Sequence, residues 1–301
     1  MGYGLGTANQ NLPTFCVLIS NGTGRPGSQP VYTKLWGSGF LPGVHQGVQL
    51  RGGKTPVLYL NSQPGETVSS RRRMVARIEA LNQLQLETFG DPEIATRIAQ
   101  YEMAFRMQVS VPEATDIRNE PQHVLDAYGP ECQTPGKFAA NCLLARRLAE
   151  RGVRFIQLYH RGWDHHGGLI SALTKQCNDV DQPQAALVAD LKQRGMLDET
   201  LVVCAGEFGR TPKINANQRG PGRDHWGAVQ SVFLAGGGIK GGQVIGASDR
   251  IGGYPVADPQ TPENLGATIY RALGLPATVA WHDRLNRPHQ VYQGPPIAGL
   301  A

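Results

Sequence analysis

The stretch Leu201-Val-Val-Cys-Ala-Gly-Glu-Phe-Gly-Arg-Thr-Pro212 opens with five apolar or small residues, among them two β-branched valines, and breaks at Gly206-Glu207. An apolar run this short, without alternation, is the pattern of a strand covered on both faces, as in a parallel sheet. Cys204 falls inside it and reads as a core residue. Open α/β sheets collect ligands at the carboxyl ends of their strands, so Glu207 stands where a functional carboxylate belongs. Just behind it in the chain comes Arg223-Asp-His-Trp226. Upstream, Val153-Arg-Phe-Ile-Gln-Leu-Tyr159 is a second buried strand, and it enters Arg161-Gly-Trp-Asp-His-His-Gly-Gly168. Three loops thus offer Asp164, His165, His166, Glu207, Asp224 and His225 at the edge of one inferred sheet.

The rest of the chain frames these strands. Thr14-Phe-Cys-Val-Leu-Ile19 reads as a further buried strand, and residues 20–65 as a loop-rich excursion. In that excursion Val31–Trp36, Gly47–Leu50 and Pro56–Leu60 are short apolar pieces between Gly and Pro, with room for one hairpin. Ser69-Ser70 can cap a helix carrying Met74, Ile78, Leu81, Leu84 and Leu86 at helical spacing. A second helix starts at Asp91-Pro92 and is expected to stop at Pro112, so residues 69–111 form a helical hairpin. Residues 136–152 make a well-formed helix with a glycine stop that feeds the strand at 153. Another helix is expected at roughly 183–195, a strand at Ser231–Ala235, a hairpin at Gly241-Gly242, a helix at 262–273 behind Thr261-Pro262, and an irregular tail beyond 276.

Composition sets the class. At 301 residues, 40% hydrophobic and 18% charged, the chain is a globular protein rather than a disordered one. Its 38 glycines and 21 prolines are scattered, which suits long shaped loops on an α/β frame. A net charge of +5 suits an anionic substrate. Much of the excess sits in Arg71-Arg72-Arg73 and Arg77 at one helix start, too local a cluster to indicate a nucleic-acid partner. Five cysteines without a C-x-x-C pair indicate neither a zinc knuckle nor a disulfide framework. No apolar run approaches the roughly 20 residues of a membrane span, and no export signal is visible in the chain.

Each chemical motif carries two readings. Asp164 and His166 on a glycine-flanked loop are either an incidental solvated pair or ligands of a divalent cation such as zinc. Glu207 either pairs with Arg210 or faces an ion, and His225 either caps the turn before Trp226 or binds metal. The recurrence of ligand-type residues on three loops favours a metal site. His160 suits a core or supporting role, whereas His45, His123, His282 and His289 have no evident partner. Arg210 and Arg223 flank the same crevice, where they are either salt-bridge partners or a fork for phosphate or sulfate oxygens.

The motifs Val-Val-Cys-Ala-Gly-Glu-Phe-Gly-Arg-Thr-Pro, Gly-Arg-Asp-His-Trp, Trp-Asp-His-His-Gly and Gly-Gly-Gly-Ile-Lys-Gly-Gly-Gln-Val-Ile-Gly resemble the bacterial "domain of unknown function 1501" family over almost the whole chain. The resemblance implies the alkaline-phosphatase-like, sulfatase-like superfamily: an α/β fold with a mainly parallel sheet sandwiched by helices. It also implies a two-metal site and hydrolysis of phosphate or sulfate esters. By position it assigns Glu207, His225 and the pair Asp164 and His166 to metal, with Asp224 beside them. His165 stands where relatives often carry Thr, so both adjacent histidines remain ligand candidates. Glu207-Phe208 replaces the superfamily's frequent Asp-His, which removes one nitrogen ligand and weakens a second metal. Arg210 and Arg223 are the candidate catalytic residues. Zinc is the favoured ion, with calcium, manganese and magnesium as alternatives, and a small phosphorylated or sulfated ester is the expected partner. The resemblance further implies a single domain over 1–301 that lacks an amino-terminal part with the nucleophile, activity being in doubt without it, and a periplasmic or exported location. A non-catalytic exported binding or scaffold protein on the same fold is the alternative.

Overall fold

The chain begins with one helical turn, Gly2–Leu5 (α1), and enters the strand Phe15–Asn21 (β1), whose Cys16, Val17 and Leu18 are wholly buried. Val48–Leu50 (β2) follows, then the helices Val68–Phe89 (α2), Pro92–Thr115 (α3), Gln122–Tyr128 (α4) and Phe138–Glu150 (α5). Next come Phe155–Arg161 (β3) and the long helix Leu169–Gln193 (α6). The computed structural model describes residues 1–7, 9–27, 30–51, 57, 67–216, 220–283 and 285–300. The apolar piece expected at Pro56–Leu60 lies outside them except for Val57. Contacts divide the chain into two units, Met1–Asp164 with Ala172–Leu187, and His165–Ser171 with Val188–Ala301.

In the first unit β1 is the middle strand of a parallel sheet of order β2-β1-β3, in register from Phe15 opposite Phe155 to Asn21 opposite Arg161. The α/β class is therefore met, with parallel pairing where the buried runs at 14–19 and 153–159 called for it. Helix α5 lays Leu144, Ala145 and Leu148 into a core with Leu12, Leu18, Leu50, Met107, Val111 and Val153. Each fully buried leucine there contributes roughly 1.5–3 kcal/mol. Gly152, with φ 76°, lets the chain leave α5 in the left-handed region and turn into β3. The two arginines on α5 are also buried, Arg146 to 1% exposure, and both donate to Glu120. Arg146 Nη1 donates in addition to Glu150 at 2.7 Å. Burial of such charges is tolerable because each is paired.

The carboxyl ends of β1 and β3 are tied by the fully buried Gln176 of α6, whose Nε2 donates to the Arg161 carbonyl at 3.0 Å and whose Oε1 accepts from Gly24 N at 3.1 Å. Gly22 must be glycine, since a Cβ would run into that amide and the Arg161 carbonyl. Beside it, Ser20 Oγ and His160 Nδ1 lie 2.9 Å apart, and His160 Nε2 faces Asp179 at 3.7 Å. Asp179 accepts from both the backbone and the hydroxyl of Thr23.

Several boundaries differ from expectation. Thr67 rather than Ser69-Ser70 caps α2, in a reciprocal box with Ser70. Met74, Leu81 and Leu84 on α2 are exposed. Helix α3 runs through Pro112 to Thr115, because Met107, Val111 and Ala114 bury its far turns and that burial outweighs one lost backbone bond. Likewise α6 begins at Leu169 and carries Pro183 inside it, so that proline does not mark a helix start. Within the loop-rich excursion, Thr33–Trp36 forms a 3-10 turn.

In the second unit Val202–Cys204 (β4) is followed by Gly209–Arg210 (β5), His225–Trp226 (β6), Phe233–Ala235 (β7), Ala247–Ser248 (β8), Pro255–Ala257 (β9), the helix Pro262–Ala272 (α7), Ala280–His282 (β10) and Pro288–Gln290 (β11). Among the described residues the strands pair only two by two and antiparallel, β4 with β7, β5 with β6, β8 with β9 and β10 with β11. The expectation of one mainly parallel sheet is not met within this unit, where, among the described residues, β4 pairs antiparallel with β7. Nor is β4 covered on both faces, for Val203 and Cys204 are exposed. An apolar run alone cannot report which strand lies alongside it. The hairpin forms at β8 and β9, after the expected Gly241-Gly242, and the tail carries the β10-β11 hairpin. Helix α7 starts as expected, with Thr261 capping and Asn264 reciprocating.

Candidate functional site

In the second unit, the loop bearing His165 and His166 is tied by backbone bonds to Pro221 and Arg223. Leu169 N donates to Pro221 O at 2.8 Å and Arg223 N to His165 O at 2.9 Å. The contact is so close that Gly222 admits no side chain, since its Cβ would collide with the His166 carbonyl. Asn215 and Gly222 exchange both backbone bonds, at 2.8 and 3.0 Å. Strands β5 and β6 then set Arg210 opposite His225.

The result is a cluster of imidazoles and carboxylate. His166 Nδ1 and Asp224 Oδ1 are 2.5 Å apart, and His166 Nε2 stands 3.2 Å from His225 Nε2. The other Asp224 oxygen accepts from Asn215 Nδ2. Thr211 pins the backbone of Asp224 from both sides: its N–H donates to the Asp224 carbonyl at 2.9 Å, and its Oγ1 accepts from Asp224 N at 3.0 Å. The hydrogen bond to His166, then that from Asn215, hold the Asp224 carboxyl below its ordinary range, so it is an anionic acceptor at neutral pH. Phe208 packs on the His225 ring, centroids 4.4 Å apart, and the His166 ring lies 4.9 Å from it.

Of the expected site residues, His166, Asp224 and His225 come together here. The two adjacent histidines part company: His165 is buried, 4% exposed, and it is His166 that meets His225. Glu207 lies exposed on the bend after β4. Asp164 belongs by its contacts to the first unit, where Arg25 Nη1 donates to it at 3.1 Å. Arg223 donates from Nε to the Thr211 carbonyl at 2.5 Å and from Nη2 to the Arg210 carbonyl at 3.1 Å. Arg210 Nη1 donates to the Arg223 carbonyl at 3.4 Å and its guanidinium lies 5.8 Å from the Phe208 ring centre. The two arginines thus clip the β5-β6 ribbon. His160 is a core residue of the first unit, His45 meets Tyr3 edge-on, and His289 stacks on Trp281. Asn215, Thr211 and Arg25 are not marked as site residues by the sequence. Thr211 lies inside the opening motif, but nothing local marks Asn215, whose partner is nine residues away.

Two nitrogens on a zinc ion, each about 2.0–2.1 Å from it at a tetrahedral angle, are about 3.3 Å apart. The His166 and His225 Nε2 atoms, at 3.2 Å, already have that spacing. Imidazole nitrogen is a borderline donor that suits zinc better than calcium or magnesium, so the pair fits such an ion.

No curated protein matches this chain and no solved structure does either. The family described as "Protein of unknown function (DUF1501)" matches residues 1–298, which takes in both units and every motif above. The chain belongs to the DUF1501 family.

Proposed function

We propose that the chain is a metal-dependent hydrolase of the alkaline phosphatase and sulfatase kind, acting on small phosphate or sulfate esters, and exported. The observation that carries this is the 3.2 Å approach of His166 Nε2 to His225 Nε2. Those two nitrogens would hold the ion, and the family resemblance adds Glu207 as a carboxylate. When bound, a divalent ion acts as a Lewis acid toward an anionic ester and makes a nucleophile more acidic. The chain's own part is to hold the imidazoles: Gly222 lets the two loop backbones close together, Thr211 locks Asp224, and Phe208 restrains the His225 ring.

The second reading, a binding or scaffold protein on the same fold, is favoured by the engagement of both arginines. Arg210 and Arg223 donate to backbone carbonyls of the ribbon they belong to, a structural task. The test is elemental analysis of the purified protein with a panel of phosphate and sulfate monoesters, repeated on His166→Ala/His225→Ala. Bound metal and turnover that both disappear in the double variant support the hydrolase. Metal without turnover on any ester turns the conclusion to the binding protein, and a metal content unchanged by the double variant removes the site.

A further inference from the structure

A histidine that binds metal through one nitrogen needs its other nitrogen protonated and aimed at an acceptor, or the ring drifts between tautomers. His166 has such an acceptor. Its Nδ1 lies 2.5 Å from Asp224 Oδ1, and an ionised carboxylate can only accept, so the proton belongs on Nδ1. Sequence expectation made Asp224 a ligand in its own right. Its oxygens are instead divided between two donors, Oδ1 for His166 and Oδ2 for Asn215. Its backbone is fixed by the paired bonds to Thr211, at 2.9 and 3.0 Å, and Asn215 is fixed by its two backbone bonds to Gly222. With its backbone held at two points and each carboxylate oxygen engaged, Asp224 cannot swing its side chain toward an ion without breaking the bonds to His166 and Asn215.

We propose that Asp224 is a positioning residue which, held by Asn215 and Thr211, fixes the Nδ1–H tautomer of His166 and so presents the Nε2 lone pair beside His225. The functional consequence rests on the metal-site conclusion above. The tautomer does not, and this keeps the two separable. In the metal-free protein the Nε2 lone pair of His166 accepts from His225, which accounts for two imidazole nitrogens standing 3.2 Å apart. An ion would take the place of that shared proton. Asn215 acts one step further out, by keeping Oδ2 occupied and the carboxylate plane turned toward His166.

The experiment is long-range proton–nitrogen correlation on the ¹⁵N-labelled, metal-free protein, together with zinc titration against a chromophoric chelator. Variants are Asp224→Asn, Asn215→Ala and His225→Ala. Wild type should show His166 protonated at Nδ1. Asp224→Asn, whose amide can donate as well as accept, should give a mixture with the Nε2–H form and lower zinc affinity roughly 10- to 100-fold, the usual effect of losing an outer partner of a metal histidine. Asn215→Ala should shift both readouts the same way by less. His225→Ala should lose zinc and keep the His166 tautomer, a separation that a merely structural role of Asp224 would not produce. An Nε2–H tautomer in wild type, or an Asp224→Asn protein with unchanged tautomer and zinc affinity, overturns the proposal. Should Asp224→Asn fail to fold, Asn215→Ala carries the same two readouts. If wild type binds no zinc but its tautomer responds to Asp224→Asn, the positioning stands and the metal-site conclusion falls.

Discussion

Glu120→Ala should destabilise the first unit by about 3 kcal/mol, because it strips a buried carboxylate from between two guanidinium groups. Glu120 is 5% exposed and accepts from Arg146 Nη2 at 2.5 Å and from Arg147 Nη1. Removing one partner of a buried ion pair costs about 3–5 kcal/mol, since the remaining charge stays desolvated. The low end applies here. Arg146 keeps Glu150 at 2.7 Å, and Arg147 keeps the carbonyls of Ala114 and Glu113 at 2.7 and 3.1 Å. With a urea m-value of about 2 kcal/mol/M, the midpoint should fall by about 1.5 M. The exposed pair of Arg118 and Asp116 is the control: Asp116→Ala should scarcely move the midpoint, because Arg118 is 86% exposed and solvent screens the bond. The pH dependence follows the same geometry. Burial pushes the Glu120 carboxyl up, but the hydrogen bonds and charges of Arg146 and Arg147 together outweigh it and hold it below its ordinary value. A carboxyl depressed in the folded state contributes its full stability above the unfolded value of about 4.3, and loses it as pH falls through the folded value. Glu120→Ala should therefore be less sensitive to acid below about pH 4.3 than wild type. Chemical denaturation monitored by far-UV circular dichroism measures both. Equal midpoints for wild type and Glu120→Ala at pH 7 would refute the reasoning, and so would equal shifts for Glu120→Ala and Asp116→Ala.

Burial pushes the His160 ring down, against the opposing charge of Asp179, so the unfolded chain takes up this proton before the folded one does. Stability should fall as pH drops below about 6.5, and His160→Gln should flatten that part of the profile; parallel profiles for the two proteins would count against it. Gly222→Ala forces a Cβ against the His166 carbonyl and should lower zinc affinity more than it lowers thermal stability, whereas Gly227→Ala, with open space around it, should change neither. Calorimetry and a zinc titration compare the two variants, and wild-type affinity in Gly222→Ala would show that the close approach is dispensable.

The strands at 15–21 and 155–161, the helix α5 and the capped helix α7 are legible in the sequence, because short-range chemistry marks them: unbroken apolar runs, a glycine stop and a Thr-Pro start. The same local chemistry picks out His166, Asp224 and His225 as ligand-type residues on loops. What it cannot do is name partners. The apolar run at 201–205 reads like the others, yet β4 pairs with β7 and lies exposed, since strand pairing depends on which distant segment arrives alongside. Prolines 112 and 183 look like helix ends, but burial of the turns around them keeps α3 and α6 continuous. Adjacent His165 and His166 are indistinguishable in the sequence. Only the folded loop, laid against Gly222, buries the first and turns the second to His225. Asn215 and Arg25 are invisible to motif reading for the same physical reason: their roles exist in hydrogen bonds across 9 and 139 residues of chain, and such contacts are made by tertiary packing, not by local pattern.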